Sequence, residues 1–134
     1  PAQLAEILPV ADFVVVASAS TPENRRLIGE PELRLMRPDA FLLNVARGDI
    51  IDEPALVRAL QEHRIGGAAL DVFEKEPLPA DSPLWKLDNV ILSPHVAGIT
   101  PRYDDHMAGL FAENLRRYLA GEPLLNLVDR NRGY

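Results

Sequence analysis

The sequence predicts an α/β fold that forms the second half of a doubly wound parallel sheet and is incomplete without an N-terminal part. Apolar runs of strand length alternate along the chain with segments of helical spacing. This alternation implies right-handed crossovers and hence parallel strands. Only about four strands can be distinguished, which is roughly half of what a complete doubly wound sheet contains.

Composition and charge indicate one globular domain and exclude some partners. The chain has 134 residues, of which 47% are hydrophobic, and this is enough to build a buried core. Its net charge of −6 argues against nucleic acid, because binding to a phosphate backbone needs a basic surface. With no cysteine, neither a disulfide framework nor a cysteine metal site is expected. We find no signal peptide and no apolar run of about 20 residues, so we expect no membrane partner and a cytoplasmic location.

The first half of the chain is predicted to hold two strands and three short helical segments. The run at 13–17 is β-branched and of strand length. Ser20 or Thr21 could cap a helix whose first position is the proline that follows. In chain order, the predicted elements are a helix tail over 2–8, a strand over 13–17, a short helix through 27–28, a helix over 31–36 and a strand over 41–46.

The second half continues the alternation. Asp52 is a good cap for a helix with Glu53 and a proline in its first turn, and Gly66-Gly67 would end that helix. Apolar residues at helical spacing predict a long final helix that stops at Gly121. In chain order, the predicted elements are a helix opening at 52–54, a strand over 67–72, a rigid loop over 77–83, a strand over 90–93, a helix over 102–119 and an extended tail over 124–128.

Polar side chains that could take part in catalysis follow three of the predicted strands. These are Arg47, Glu76 and His95. The carboxyl ends of parallel strands meet at one edge of a sheet, so we expect these three residues to lie close together. A guanidinium suits a carboxylate, and an imidazole readily exchanges protons near neutral pH. Glu76 could hydrogen-bond the imidazole and set its tautomer. Three alternatives stay open: Arg47 pairs with Asp49 or Asp52, His95 is structural, and Glu76 is merely solvated.

Three stretches stand out as motifs. They are NVARGDIID at 44–52, GAALDVFEKEPLP at 67–79 and SPHVAGIT at 93–100. They resemble the three signatures of the D-isomer-specific 2-hydroxyacid dehydrogenase family, and the resemblance extends from the strand at 13–17 to the residues at 126–129. It implies a Rossmann-like sheet, NAD or NADP as cofactor, a small 2-hydroxy or 2-keto acid as substrate, and a homodimer in the full-length protein.

The resemblance also implies residue roles. In that family the arginine of the first motif binds the substrate carboxylate, and the glutamate before proline pairs with the catalytic histidine, which implies Arg47, Glu76 and His95 as catalytic residues. No metal is implied. The implied contacts of the nicotinamide end of the cofactor are Val45, Ala46, Arg47, Asp71, His95, Ala97 and Gly98.

The expected domain organisation follows from what this sequence does not contain. No G-x-G-x-x-G occurs, although this turn normally holds the pyrophosphate of a dinucleotide. The substrate subdomain of the family also has no counterpart here. We therefore expect residues 1–119 to be the C-terminal portion of a dinucleotide-binding domain that carries the catalytic motifs. Residues 120–134 would form a tail that returns to the substrate domain.

Three other interpretations stay open. A corepressor-like protein of the same superfamily would keep the three residues and work by binding a dinucleotide and partner proteins. A truncated fragment without activity would associate with another chain through the apolar edge strand at 13–17. A metal site would use His63, His95 and His106, although their spacing does not suggest ligation.

Overall fold

The computed structural model describes residues 3–130 and contains two compact units, Pro1–Ala97 and Gly98–Tyr134. The first unit is built on four parallel strands that lie in chain order across the sheet. These are β1 (Phe13–Val16), β2 (Phe41–Asn44), β3 (Gly67–Leu70) and β4 (Val90–Leu92). The predicted α/β fold with a parallel sheet is confirmed.

Three short helices accompany this sheet, α1 (Leu4–Ile7), α2 (Glu30–Leu35) and α3 (Glu53–Gln61). Helix α3 begins as predicted, because the Asp52 carboxylate accepts a hydrogen bond from the Ala55 N–H at 3.0 Å. Helix α2 begins after Gly29, whose N–H donates to the Glu32 side chain at 3.0 Å. Ala2 of the predicted first helix lies outside the described residues.

The core of the first unit lies on one face of the sheet. Leu42 in the middle of β2 is fully buried, as are Leu33 of α2 and Leu56 and Leu60 of α3. On the other face Phe13 and Phe41 stack with their ring centroids 6.0 Å apart, and both remain exposed. The buried face fixes the strands, and the strands in turn fix the loops at their carboxyl ends.

The predicted helix through 27–28 is wrong. Residues 22–26 form turns, in which the Asn24 side chain accepts a hydrogen bond from the Thr21 N–H at 2.8 Å. Ile28 is extended and forms a parallel bridge with Ile51. The cap signal in the sequence was local, whereas the pairing of Ile28 depends on a segment more than twenty residues away.

The ends of several predicted elements also differ. Helix α3 ends at Gln61 rather than at the glycine pair, and Gly67 already belongs to β3. A Cβ atom on Gly67 would lie 2.5 Å from the Asn89 carbonyl oxygen, so this glycine serves close strand packing. The connection from β3 to β4 contains a 3₁₀ turn at Pro83–Lys86 and no α-helix. Each of the four strands stops one or two residues before its predicted end.

The second unit contains helix α4 (Tyr103–Ala120). Gly121 ends it in the left-handed conformation with φ 69°, as predicted. The predicted extended tail instead bends at Leu125 and Asn126, where the Leu125 N–H donates to the Asn114 side chain at 2.7 Å. Within residues 3–130, no helix is both long and apolar enough to cross a membrane.

Candidate active site

Arg47, Glu76 and His95 lie in the loops that follow β2, β3 and β4, all at the carboxyl edge of the sheet. The parallel register brings these loops side by side, since Asn44 at the end of β2 pairs with Leu70 of β3, which pairs with Leu92 of β4. The prediction that the three strand ends meet at one edge is therefore confirmed. The roles of the three side chains stay predictions.

The closest contact in this site joins His95 and Glu76. The His95 Nδ1 atom lies 2.7 Å from Glu76 Oε2, and the other carboxylate oxygen accepts a hydrogen bond from the Phe73 N–H at 3.0 Å. Both side chains are partly exposed, 46% for His95 and 35% for Glu76. Because Nδ1 is hydrogen-bonded to Glu76, Nε2 is the nitrogen that can exchange a proton with a bound molecule.

The ionisation of Glu76 reflects these neighbours. The hydrogen bond from His95 lowers the pKa of the Glu76 carboxyl below its ordinary value. Partial burial opposes this shift, whereas the Phe73 N–H and the charge of Arg47 add to it. Glu76 is therefore a carboxylate at neutral pH, able to stabilise a protonated imidazole. The charge of Arg47 thus acts in the same direction as the hydrogen bond from His95.

Arg47 keeps its charge available. The only hydrogen bond of its side chain in the described part of the chain runs from Nη1 to the carbonyl oxygen of Ala46, at 2.7 Å. Asp49, one of the two carboxylates considered as its partner, lies 3.4 Å from Arg25, and Asp52 lies 3.8 Å from Arg26. Arg47 makes no ion pair among residues 3–130, so the structural pairing considered from the sequence does not occur.

Two residues shape the loop that carries Arg47, and neither was singled out from the sequence. Asn44 is fully buried, and its side chain both donates to the Arg47 carbonyl oxygen at 2.9 Å and accepts from the Ala46 N–H at 3.1 Å. A Cβ atom on Gly48 would lie 1.9 Å from the Phe73 carbonyl carbon. The first loop thus touches the backbone of the second. The signal in the sequence that could have identified Asn44 was an amide side chain at the end of an apolar strand, where a buried polar group needs hydrogen-bond partners.

The loop that carries His95 is held by Asp71. The Asp71 carboxylate accepts hydrogen bonds from the Ser93 hydroxyl at 2.6 Å, from the Val96 N–H at 2.9 Å and from the Ala97 N–H at 2.9 Å. The His95 N–H donates to the Asp71 carbonyl oxygen at 2.8 Å. His95 adopts a left-handed backbone conformation with φ 55°, which a non-glycine residue takes only when its surroundings hold it there.

An apolar cavity of about 630 Å³ opens beside the pair of His95 and Glu76. Apart from these two residues and Ser93, its lining consists of Phe73, Pro77, Leu78, Trp85, Leu92 and Pro94. Trp85 is fixed by a hydrogen bond from its indole N–H to the Pro79 carbonyl oxygen at 2.9 Å. Apolar walls of this kind exclude water and strengthen the charge interactions next to them.

The remaining residues implied as cofactor contacts are placed as follows. Val45 follows β2 and is 45% exposed, whereas Ala46 and Asp71 are buried. Ala97 is exposed and closes the first unit, and Gly98 opens the second. Their contact with a cofactor stays a prediction. Among residues 3–130, no group of three or more histidine, aspartate or glutamate side chains is arranged to hold a metal ion.

Comparisons with known proteins decide the family. The model of the D-isomer specific 2-hydroxyacid dehydrogenase NAD-binding domain matches residues 1–97. The chain belongs to this family. A glyoxylate reductase of Korarchaeum cryptofilum is 45% identical over 127 residues, which are 95% of this chain and 38% of that protein. A glyoxylate reductase of Thermofilum pendens is 48% identical over 92% of this chain and 37% of its own length.

Solved structures of the family have the same fold. A D-isomer specific 2-hydroxyacid dehydrogenase from Xanthobacter autotrophicus, in complex with NADPH and MES, superposes with a TM-score of 0.89 at 46% identity. The superposition covers 99% of this chain and 54% of that structure. A glyoxylate/hydroxypyruvate reductase from Sinorhizobium meliloti, in complex with NADP, gives 0.89 at 30% identity, over 99% of this chain and 43% of its own. The chain thus spans well under two thirds of these 2-hydroxyacid dehydrogenases.

Proposed function

We propose that the protein carrying this chain is an NAD- or NADP-dependent dehydrogenase that interconverts a 2-keto acid and a 2-hydroxy acid. The observation that supports this proposal most strongly is the 2.7 Å contact between His95 and Glu76, with the unpaired charge of Arg47 close by. This set combines a proton carrier, a carboxylate that stabilises its charged form and a cation for an acid substrate. Family membership supports the same reaction.

Arg47, His95 and Glu76 each have a separate role in this reaction. Arg47 binds the carboxylate of the substrate, for which a planar guanidinium is well suited. In the direction of reduction His95 gives the proton on Nε2 to the C2 oxygen, and in the direction of oxidation it removes that proton. Glu76 stabilises the positive charge of His95 before the proton is given. The apolar cavity beside them keeps water from these charges.

The chain fits the nicotinamide end of a cofactor. Val45 presents an apolar surface at the carboxyl edge of the sheet, and Ala97 adds a small exposed side chain, so a flat ring finds little steric hindrance. We propose that Val45, Ala46, Arg47, Asp71, His95, Ala97 and Gly98 surround this ring. When bound, the cofactor supplies or accepts the hydride at C2. The pyrophosphate requires a glycine-rich turn that this sequence does not contain.

The names of the relatives suggest the first substrates to test. The relatives at 45% and 48% identity are glyoxylate reductases, and a structural relative is a glyoxylate/hydroxypyruvate reductase. We therefore propose a small 2-keto acid such as glyoxylate as substrate. A homodimer of the complete protein is the assembly we expect, and sedimentation of the complete gene product measures it.

The decisive experiment follows the oxidation of NADH and NADPH by the complete gene product, with glyoxylate, hydroxypyruvate and pyruvate in turn. We expect at least one acid to be reduced, and we expect His95→Ala to lose about 10²- to 10⁴-fold in kcat. The matched control is His106→Ala, which removes an exposed histidine of helix α4 and should leave kcat unchanged. Reduction of none of the acids, or full activity of His95→Ala, would refute the proposal.

A further inference from the structure

Asp71 is the only charged residue that is buried among residues 3–130, with 4% of its surface exposed. It directly follows β3, at the edge of the sheet that carries the site. Burial of a carboxylate is costly unless hydrogen bonds compensate for the lost water. The contacts of Asp71 therefore indicate why a charge is placed there.

The Asp71 N–H donates to the Asn44 carbonyl oxygen at 3.0 Å, whereas the hydrogen bonds that its oxygen atoms accept come from the segment around His95. One carboxylate oxygen accepts from Ser93 at 2.6 Å and from the Val96 N–H at 2.9 Å, and the other accepts from the Ala97 N–H at 2.9 Å. The backbone oxygen of Asp71 accepts from the His95 N–H at 2.8 Å. One residue thus binds the residues on both sides of His95 as well as His95 itself.

We infer that Asp71 is a positioning residue, whose buried carboxylate clamps the loop of residues 93–97 so that His95 Nδ1 faces Glu76. This inference rests on the proposed function, in which His95 exchanges a proton with the substrate. The left-handed backbone of His95, with φ 55°, is unfavourable for a residue with a side chain. The clamp offsets that cost, and it fixes the backbone on both sides of the imidazole.

The charge state of Asp71 suits this role. Burial alone would raise the pKa of its carboxyl. The hydrogen bonds from Ser93, Ala97 and Val96, together with the nearby His95, outweigh burial and lower the pKa below the ordinary 3.8. The carboxylate is therefore ionised at neutral pH, and its hydrogen bonds are of the stronger, charge-assisted kind.

The clamp does not exclude the cofactor contact proposed for Asp71. A carboxylate offers about four acceptor positions, and three are used by Ser93, Val96 and Ala97. One position remains for a donor from the nicotinamide end. The two roles differ in what a substitution disturbs: the clamp acts on the imidazole, whereas the cofactor contact acts on cofactor affinity.

The test uses Asp71→Asn and Ser93→Ala in the complete gene product. Asparagine has the same size but turns one acceptor oxygen into an NH₂ group, which would face an N–H donor of the loop. We expect kcat to fall about 10- to 100-fold, with the KM for the cofactor changed less than about threefold. Ser93→Ala removes one hydroxyl donor and should lower kcat by a smaller factor.

Two readouts do not depend on turnover. In the wild type, ring ¹⁵N chemical shifts of neutral His95 should place the proton on Nδ1, and Asp71→Asn should yield a mixture of tautomers. Hydrogen exchange of the Val96 and Ala97 amides should become faster in Asp71→Asn, because their acceptor is weakened. If the wild type reduces no 2-keto acid, the proposed reaction fails while these readouts still test the clamp.

Unchanged ring shifts and exchange rates in Asp71→Asn, with the whole loss in cofactor KM, would overturn the inference. If Asp71→Asn does not fold, Ser93→Ala decides. A lowered kcat with faster exchange at Val96 supports the clamp, and wild-type values for both refute it.

Discussion

Gly48→Ala is expected to disrupt the candidate site without touching any of its chemical groups. The added Cβ atom would lie 1.9 Å from the Phe73 carbonyl carbon, 2.0 Å from the Phe73 carbonyl oxygen and 2.5 Å from the Glu74 nitrogen. All three are backbone atoms, so no side-chain rotation can relieve the overlap. Ordinary contact begins near 3.4 Å, so the loop after β3 must move by about 1.5 Å.

That movement has two measurable consequences. Overpacking of this kind costs about 1–3 kcal/mol of the free energy of unfolding, which a urea titration followed by circular dichroism can detect. The displaced loop includes the Phe73 N–H that holds Glu76 at 3.0 Å, so Glu76 would shift relative to His95. A displacement of about 1 Å at a catalytic group can cost roughly 10²-fold, and we expect a loss of this order in kcat.

Gly109→Ala is the matched control. A Cβ atom on Gly109 would meet none of the described residues within 4 Å, and the residue lies inside helix α4. Alanine in a helix interior is favoured over glycine by about 0.5–1 kcal/mol, so this variant should keep kcat and gain slight stability. If Gly48→Ala unfolds at the urea concentration of the wild type and keeps its kcat, the close approach of the two loops is not as inferred.

Two further substitutions test the site and its scaffold. Glu76→Gln should lower kcat by about 10²-fold or more, because the amide no longer stabilises a charged imidazole. The hydrogen bond from His95 lowers the pKa of Glu76 from 4.5. The contribution of ionised Glu76 to the free energy of unfolding is therefore complete above pH 4.5, and it is lost as the pH falls through the lowered pKa. Urea titrations should therefore show the difference between wild type and Glu76→Gln shrinking in acid, and a constant difference would contradict this. Asp52→Ala should cost about 1 kcal/mol of the free energy of unfolding, because it removes the acceptor for the Ala55 N–H. Asp52→Asn keeps an acceptor oxygen and should cost only about a few tenths of a kcal/mol. Equal losses in the two variants would exclude the capping role.

The sequence was sufficient for the parts of the fold that depend on local pattern. Apolar runs predicted β2 and β3, and the Asp52 cap predicted the start of α3. The positions of Arg47, Glu76 and His95 at one edge followed from parallel strands alone. The helix predicted through 27–28 failed because Ile28 pairs with Ile51, a contact that no local signal encodes.

The contacts that hold the site in place were harder to predict from the sequence. Gly48 must be glycine only because the Phe73 backbone approaches it from another loop, and the sequence does not show that approach. Asp71 could be assigned to a cofactor through family resemblance, yet its bonds to Ser93, Val96 and Ala97 appear only in the folded chain. Spacing in the sequence indicates which strand a residue follows, but not which loops touch.

These contacts connect the three loops into one mechanical unit. Asn44 shapes the first loop, whose Gly48 packs on Phe73 of the second. The Phe73 N–H then holds Glu76, and Glu76 meets His95 of the third loop. The first two links involve no charged group, and the last two both depend on the Glu76 carboxylate, so much of the geometry rests on an amide, a glycine and a backbone N–H. Substitutions at such residues should therefore lower activity through the position of His95, even though the residues themselves exchange no proton.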